Sequence, residues 1–225
     1  MLEDLGNAIG LLVSGDPALW QIVWLSLLVS GMAVLLGGMI GVPLGAWLGL
    51  REFKGQHWLT AFIYTGMGFP PVVVGLVVFL LLSRQGPLGP LGWLFTPTAM
   101  IVAQLILALP LITGVTMTAV GEVSPELRQQ MRALGATDRQ VLLTTLKEAQ
   151  NGVIVGLVAG FGAAISEVGA VMLVGANIRG QTQVLTTAIV EETRKGNFSI
   201  ALALGIILLT LAFLVNLATV FINRD

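Results

Sequence analysis

The chain has 225 residues, of which 56% are hydrophobic and only 10% charged, with a net charge of −1. A soluble domain carries about 25% charged residues, so this composition, with a mean hydropathy of +0.92, describes a membrane protein and excludes a cytosolic enzyme or a disordered chain. Cysteine is absent and His57 is the only histidine, which excludes disulfides, thiolate chemistry and a poly-histidine metal site.

Residues 1–16 carry Glu3 and Asp4 where a signal peptide carries basic residues. They read as a short interfacial segment closed by the turn Ser14-Gly15-Asp16-Pro17. Five long gaps in the charge follow: 34 residues between Asp16 and Arg51, 29 between Lys54 and Arg84, 37 between Arg84 and Glu122, 30 between Glu148 and Arg179 broken only by Glu167, and 28 between Lys195 and Arg224. About 20 apolar residues cross the hydrocarbon, and backbone without water must be helical there. The expectation is an all-α membrane protein, one domain over 1–225, with spans near 20–48, 58–82, 97–119, 153–175 and 198–222. None of the runs alternates with period two, as barrel strands would. Trp20, Trp24 and Trp58 fall at span ends, as an aromatic belt does.

Within the spans, proline marks the irregular places. Pro43 and Pro110 read as packing kinks, whereas Phe69-Pro70-Pro71 removes two successive backbone donors in mid-span and reads as a gate or path lining. The hydroxyls of Thr65, Thr113, Thr116 and Ser166 are candidates to line the passage. No Lys or Arg lies inside any span. Glu167 is about 14 residues, or ~21 Å, into its span. It reads first as a hydrogen-bond clamp at a helix break beside Gly169, and second as a gating group.

Eight of the 23 charges fall in residues 120–152. Ser124 is a good N-cap, Pro125 suits the first helical position, and Glu126 complements the dipole. Leu127, Met131 and Leu134 make one apolar face, and Arg128 and Arg132 lie on another. Gly135 stops this helix, and Thr137 with Gln140 restarts the chain as a capping box. Val141, Leu142, Thr145, Leu146 and Ala149 form the apolar side of the second helix. This hairpin fits either a socket on a partner or the lipid surface.

The loop 176–197 holds Asn177, Arg179, Gln181, Thr182, Arg194 and Lys195, balanced by Glu191 and Glu192. It reads as a polar outer loop, with Asn177, Arg179, Gln181 and Thr182 as a candidate docking surface. Seven basic residues lie on the side of the 120–152 segment and four on the other. That places the N-terminus outside and the C-terminus in the cytoplasm.

Several of these segments resemble bacterial ABC importer permeases. Arg-Ala-Leu-Gly-Ala at 132–136, with Leu146 beyond it, resembles their cytoplasmic signature: a Glu-Ala-Ala triplet, a glycine four residues later and a final Ile-x-Leu-Pro. Gly135 matches the glycine, while the triplet is Gln129-Gln130-Met131 and Lys147 replaces the proline. Asp16 to Trp20, Gly41-Val42-Pro43-Leu44-Gly45, Phe69-Pro70-Pro71-Val72-Val73-Val74-Gly75 and Ile165-Ser166-Glu167-Val168-Gly169-Ala170 are similar to molybdate-type permeases. Residues 175–198 are most similar to the tungstate branch. Molybdate permeases usually carry an additional N-terminal span, so five spans also fit that branch.

The resemblance implies a type I ABC importer permease fold. Arg128, Gln129, Gln130, Met131, Arg132, Ala133, Leu134, Gly135, Ala136 and Thr137 would be the coupling helix that sits on a separate ATPase. No G-x-x-x-x-G-K-[ST] motif occurs in the chain. It would therefore be a transporter subunit rather than an enzyme, binding no cofactor, with ATP and Mg on the partner. The implied partners are a second copy of itself, two ATP-binding subunits, an external substrate-binding protein, the oxyanion and the lipid bilayer, with no nucleic acid. The implied location is the cytoplasmic (inner) membrane, multi-pass, and the implied cargo is tungstate. The alternatives are molybdate, or a proton-coupled secondary transporter using Glu167.

Overall fold

A computed structural model describes residues 7, 8, 10, 16–51 and 53–222, so the expected interfacial segment at 1–16 lies largely outside the described residues. The described elements are α1 (Pro17–Leu50), α2 (Gln56–Met67), α3 (Pro71–Leu82), a 3-10 turn (Gly89–Leu91), α4 (Pro97–Gly121), α5 (Pro125–Ala133), α6 (Asp138–Glu148), α7 (Gln150–Ile165), α8 (Gly169–Gly175), α9 (Leu185–Arg194) and α10 (Phe198–Ile222). Among the described residues there is no strand.

Charge and proline set the ends. Asp16 starts α1 by accepting the Ala18 N–H at 2.8 Å, with Pro17 at the first position. Pro97 opens α4 in the same way. Pro43 and Pro110 sit inside continuous helices. Pro70 and Pro71 break theirs: neither can donate to the carbonyls of Gly66 and Met67. α2 therefore closes through Gly68 N–H to Thr65 O and Phe69 N–H to Gly66 O, at 3.1 and 3.2 Å.

α1, α4 and α10 are each long and apolar enough to cross a bilayer. α2 and α3 meet at 99°, and α6 and α7 at 67°; counting each bent pair as one span gives up to five. The expected first, third and fifth runs are thus single helices. The second is broken at 68–70 and the fourth is divided between α7 and α8.

α4 is the hub, packed on α1, α7, α2, α8 and α3. Two rows of glycine at four-residue spacing bring the backbones close. A Cβ at Gly45 would lie 2.5 Å from the Thr113 carbonyl oxygen, and one at Gly49 2.6 Å from that of Met117. From the other side Gly156 and Gly160 of α7 admit Val115 and Ile112 of α4. In lipid, where apolar tails solvate Leu as well as protein does, such close approach is what holds helices together. Half of α4's most apolar stretch is buried, against 17% in α10, so α10 is the peripheral helix.

Candidate functional site: a coupling hairpin and two facing helix breaks

The hairpin α5–α6 has the expected caps. Ser124 Oγ accepts the Leu127 N–H at 3.2 Å. Thr137 N–H donates to Gln140 Oε1 at 2.8 Å and Gln140 N–H to Thr137 Oγ1 at 3.4 Å. Gly135 turns the chain at φ +86, a conformation that strains any Cβ, while the Ala136 N–H closes the turn on Met131 O at 3.0 Å. The two helices then differ in burial. α6 turns Val141 and Thr145 inward and rests on a core of Ala46, Val120 and Ala149, with Leu142 and Leu146 beside it. α5 buries no residue, and Leu134 is 88% exposed. Of the apolar face, Leu127 and Met131 are half-buried and Leu134 is left open by the chain itself. Ser124 and the backbone at the helix start hold the Glu126 carboxyl below its usual range, the backbone bond being the larger effect.

The two interrupted helices come together. α3 packs on α8 so closely that a Cβ at Gly75 would lie 2.5 Å from Ala170 Cα, and one at Gly169 2.6 Å from Val72 Cγ2. Gly66, just before the first break, rests on the Pro110 ring, where a Cβ would lie 2.8 Å away. Phe69 packs into the main core of α1, α3, α4 and α8. Thr65, Pro70, Pro71 and Ser166 are exposed at the rim. Thr65 and Ser166 bond back to Ala61 O at 2.7 Å and Gly162 O at 2.6 Å.

Thr113 departs from the expected lining. It is 1% exposed, faces Gly41 in the α1–α4 seam, and donates to Leu109 O at 2.7 Å. The glycine row that makes this seam tight leaves no opening beside it. Thr116, fully buried, lies in the same seam against Gly45.

The second break, 166–168, is satisfied by protein groups. Glu167 Oε1 accepts the Ala170 N–H at 2.9 Å and so caps α8. Its carbonyl accepts Thr186 Oγ1 at 2.8 Å. Ala164 O, at the end of α7, accepts the Glu167 N–H at 3.2 Å and Gln104 Nε2 at 2.8 Å. The Glu167 side chain thus bonds at the helix break, ahead of the start of α8 at Gly169. Gln104 was not anticipated, although an amide in mid-span of an apolar run is itself a signal. Thr186 and Ser26 were likewise missed: Ser26 Oγ accepts the Leu185 N–H at 2.8 Å and ties α9 to α1 across 159 residues. Only the fold brings those partners together.

The expected outer loop is largely structured. Residues 182–188 are buried, and α9 starts inside the protein against Leu19, Val23 and Leu204. Thr182, expected on a docking surface, is fully buried; its hydroxyl donates to Gly175 O at 2.5 Å and accepts the Ile178 N–H at 2.9 Å. Chain reversal at Ala176 and Asn177, both at positive φ, needs that internal strut. Asn177 is half-buried and donates to Glu191 Oε2 at 2.6 Å. Gln181 is exposed. Arg179 is two-thirds exposed yet reaches the buried Glu192 at 2.6 Å. Lys195 bonds both acids, and Asn197 Nδ2 reaches Glu192 Oε2 at 2.6 Å. The hydrogen bond from Lys195, then that from Asn177, holds the Glu191 carboxyl low; Asn197 foremost, then Lys195 and Arg179, do so for Glu192.

Three helices long and apolar enough to cross a bilayer, with two bent pairs that bring the count up to five, define a class, the multi-pass helical membrane proteins. Comparison with known proteins narrows it. A probable anion ABC transporter permease of Haloferax volcanii is 48% identical over 87% of this chain and 87% of its own length. A tungstate uptake system permease of Peptoclostridium acidaminophilum is 41% identical over 95% of this chain and 94% of its own. The crystal structure of a bacterial ABC transporter that imports the acidic polysaccharide alginate superposes with a TM-score of 0.77, at 21% identity, over 95% of this chain and 82% of that one. The chain belongs to the family of binding-protein-dependent transport system inner membrane components, whose family model matches residues 41–225.

Proposed function

We propose that this chain is the membrane-spanning subunit of an ATP-driven importer that moves tungstate inward, with molybdate as the second cargo to be tested. The observation that carries the reading is the helix α5, which buries no residue and leaves Leu134 exposed beside the half-buried Leu127 and Met131, in a permease-family chain that has no P-loop. Residues 128–137 dock there on a separate ATPase that binds ATP and Mg, and two copies of the chain pair with two such subunits. The 41% identity to a tungstate uptake permease supports the choice of cargo.

The hairpin lies on the cytoplasmic side, with the N-terminus outside, because seven of eleven basic residues share that side. The chain crosses five times, with the second and fourth crossings broken. Phe69, Pro70, Pro71, Thr65, Ser166 and Glu167 border the path at the paired breaks, and Thr113 is left out of it. Asn177, Arg179 and Gln181 receive the external binding protein, and Thr182 supports their turn from below. Absence of Lys and Arg from the spans lets a dianion pass without being trapped, so selectivity rests with the binding protein. Commitment of the Glu167 carboxylate to Ala170 argues against a proton-coupled carrier.

The test is uptake into vesicles holding this chain with its ATPase and binding protein. ATP-dependent accumulation of tungstate in preference to molybdate is expected. Preference for molybdate reassigns the cargo, and uptake by the chain without an ATPase overturns the whole reading.

A further inference from the structure

Where α1 ends against the hairpin there is a groove of about 530 Å3. Its polar lining is Arg51, Arg132, Arg139 and Asp138, and Trp47 and Leu142 form an apolar wall. Three guanidinium groups thus face one carboxylate. Asp138 is 3.7 Å from Arg132, with both side chains mostly exposed. Among the described residues, no carboxylate pairs with Arg51 or Arg139. The groove thus sets, among the described residues, three guanidinium groups against one carboxylate, in a cleft of ligand size.

Its position narrows the ligand. Arg51 is the first charge after 34 uncharged residues, so the groove lies where hydrocarbon gives way to head groups. Trp47 is 42% exposed and held by Phe53, ring centroids 5.0 Å apart. Tryptophan with arginine is the pairing that membrane interfaces favour. Ile40, Leu44 and Trp47, one helical turn apart, are all exposed and form an apolar stripe running from the groove along α1.

We propose that this groove binds an anionic phospholipid: Arg51 and Arg139 hold the phosphate, and an acyl chain lies on the Ile40–Leu44–Trp47 stripe. Guanidinium forks match phosphate oxygens in paired hydrogen bonds. A soluble phosphate would use the arginines but leave the stripe without a role. An acidic face of a partner protein would leave it equally idle. Because the groove joins the end of α1 to the start of α6, a bound lipid braces the hairpin against the membrane. This assignment does not rest on the identity of the cargo.

The test uses the full-length chain in nanodiscs of phosphatidylcholine with a minor fraction of phosphatidylglycerol, followed by native mass spectrometry. Wild type is expected to retain phosphatidylglycerol selectively. A phosphatidylglycerol carrying a photoreactive group near its phosphate should label residues 47–51 and 132–142 of the wild type. Each arginine at an anionic surface is worth about five-fold in binding, so Arg51→Gln with Arg139→Gln should lower retention about 25-fold. Equal retention of the two lipids by wild type overturns the proposal, as does labelling confined to other segments. Displacement of the lipid by millimolar inorganic phosphate assigns the groove to a soluble anion and also overturns it. If the double variant keeps its lipid but no longer co-purifies with the ATPase, the arginines belong to a protein interface and the proposal fails.

Discussion

Glu167 is where a structural and a chemical role can be separated by two substitutions. α8 has only seven residues, Gly169–Gly175, and Val168 at its N-cap offers no side-chain acceptor. The Glu167 carboxylate, 2.9 Å from the Ala170 N–H, takes that place. Removing such a cap costs about 1 kcal/mol, which raises the open population of the segment about five-fold. Glu167→Ala should therefore speed amide hydrogen exchange of residues 169–175 about five-fold. Glu167→Gln keeps an acceptor oxygen at the same place and should leave both exchange and vesicle uptake close to wild type. Two results would refute the reasoning. Unchanged exchange in Glu167→Ala means that the cap has no energetic role. Loss of uptake in Glu167→Gln with exchange unchanged means that the carboxylate is needed for its proton or its charge.

The glycine seam predicts a contrast within one helix. Gly45→Ala puts a methyl 2.5 Å from the Thr113 carbonyl, so α1 and α4 must part by about 0.9 Å to reach the ordinary contact distance of 3.4 Å. Overpacking of this kind costs about 1–3 kcal/mol, whereas Gly31→Ala has nothing within 4 Å and should hold or gain stability. Unfolding in sodium dodecyl sulfate followed by circular dichroism compares the two, and equal midpoints would sink the seam. Leu134→Asp changes a side chain that is 88% exposed, so the unfolding midpoint should move by less than about 0.5 kcal/mol while co-purification with the ATPase is lost; retained co-purification removes Leu134 from the docking face. The α9 cluster should respond to acid. Glu191 and Glu192 titrate below their ordinary value, so their contribution is present above about pH 4.3 and is lost as pH falls further, through their folded values. Stability in detergent should decline in that range, and Glu191→Gln with Glu192→Gln should flatten the decline.

The helices were legible because the causes of a membrane helix are local. Runs of 28 to 37 residues with at most one charge leave the backbone no partner but itself. The caps at Ser124, Thr137 and Gly135, and the break at Pro70-Pro71, were legible for the same reason: each depends on residues within four positions along the chain. Glu167 as a clamp was within reach because its acceptor serves a donor three residues away.

The misreadings concern contacts across the chain. Thr113 looked like a hydroxyl in a membrane path, but burial is set by which face of α4 meets the glycine row of α1. Thr182 looked like a polar loop residue, but it is the internal strut of a reversal whose partners are Gly175 and Ile178. The expected polar outer loop around it instead starts a helix inside the protein, held by Ser26 from 159 residues away. By itself the sequence determined a charge-poor, all-helical membrane chain with a polar helix–glycine–helix hairpin. Tertiary structure decided that the two broken helices face each other, that Gln104 and Thr186 secure the second break, and that Arg51 joins Arg132 and Arg139 around one groove. The physical reason is that periodicity and capping are written within a turn or two of chain. Which faces meet is settled only when close packing selects one arrangement of whole helices.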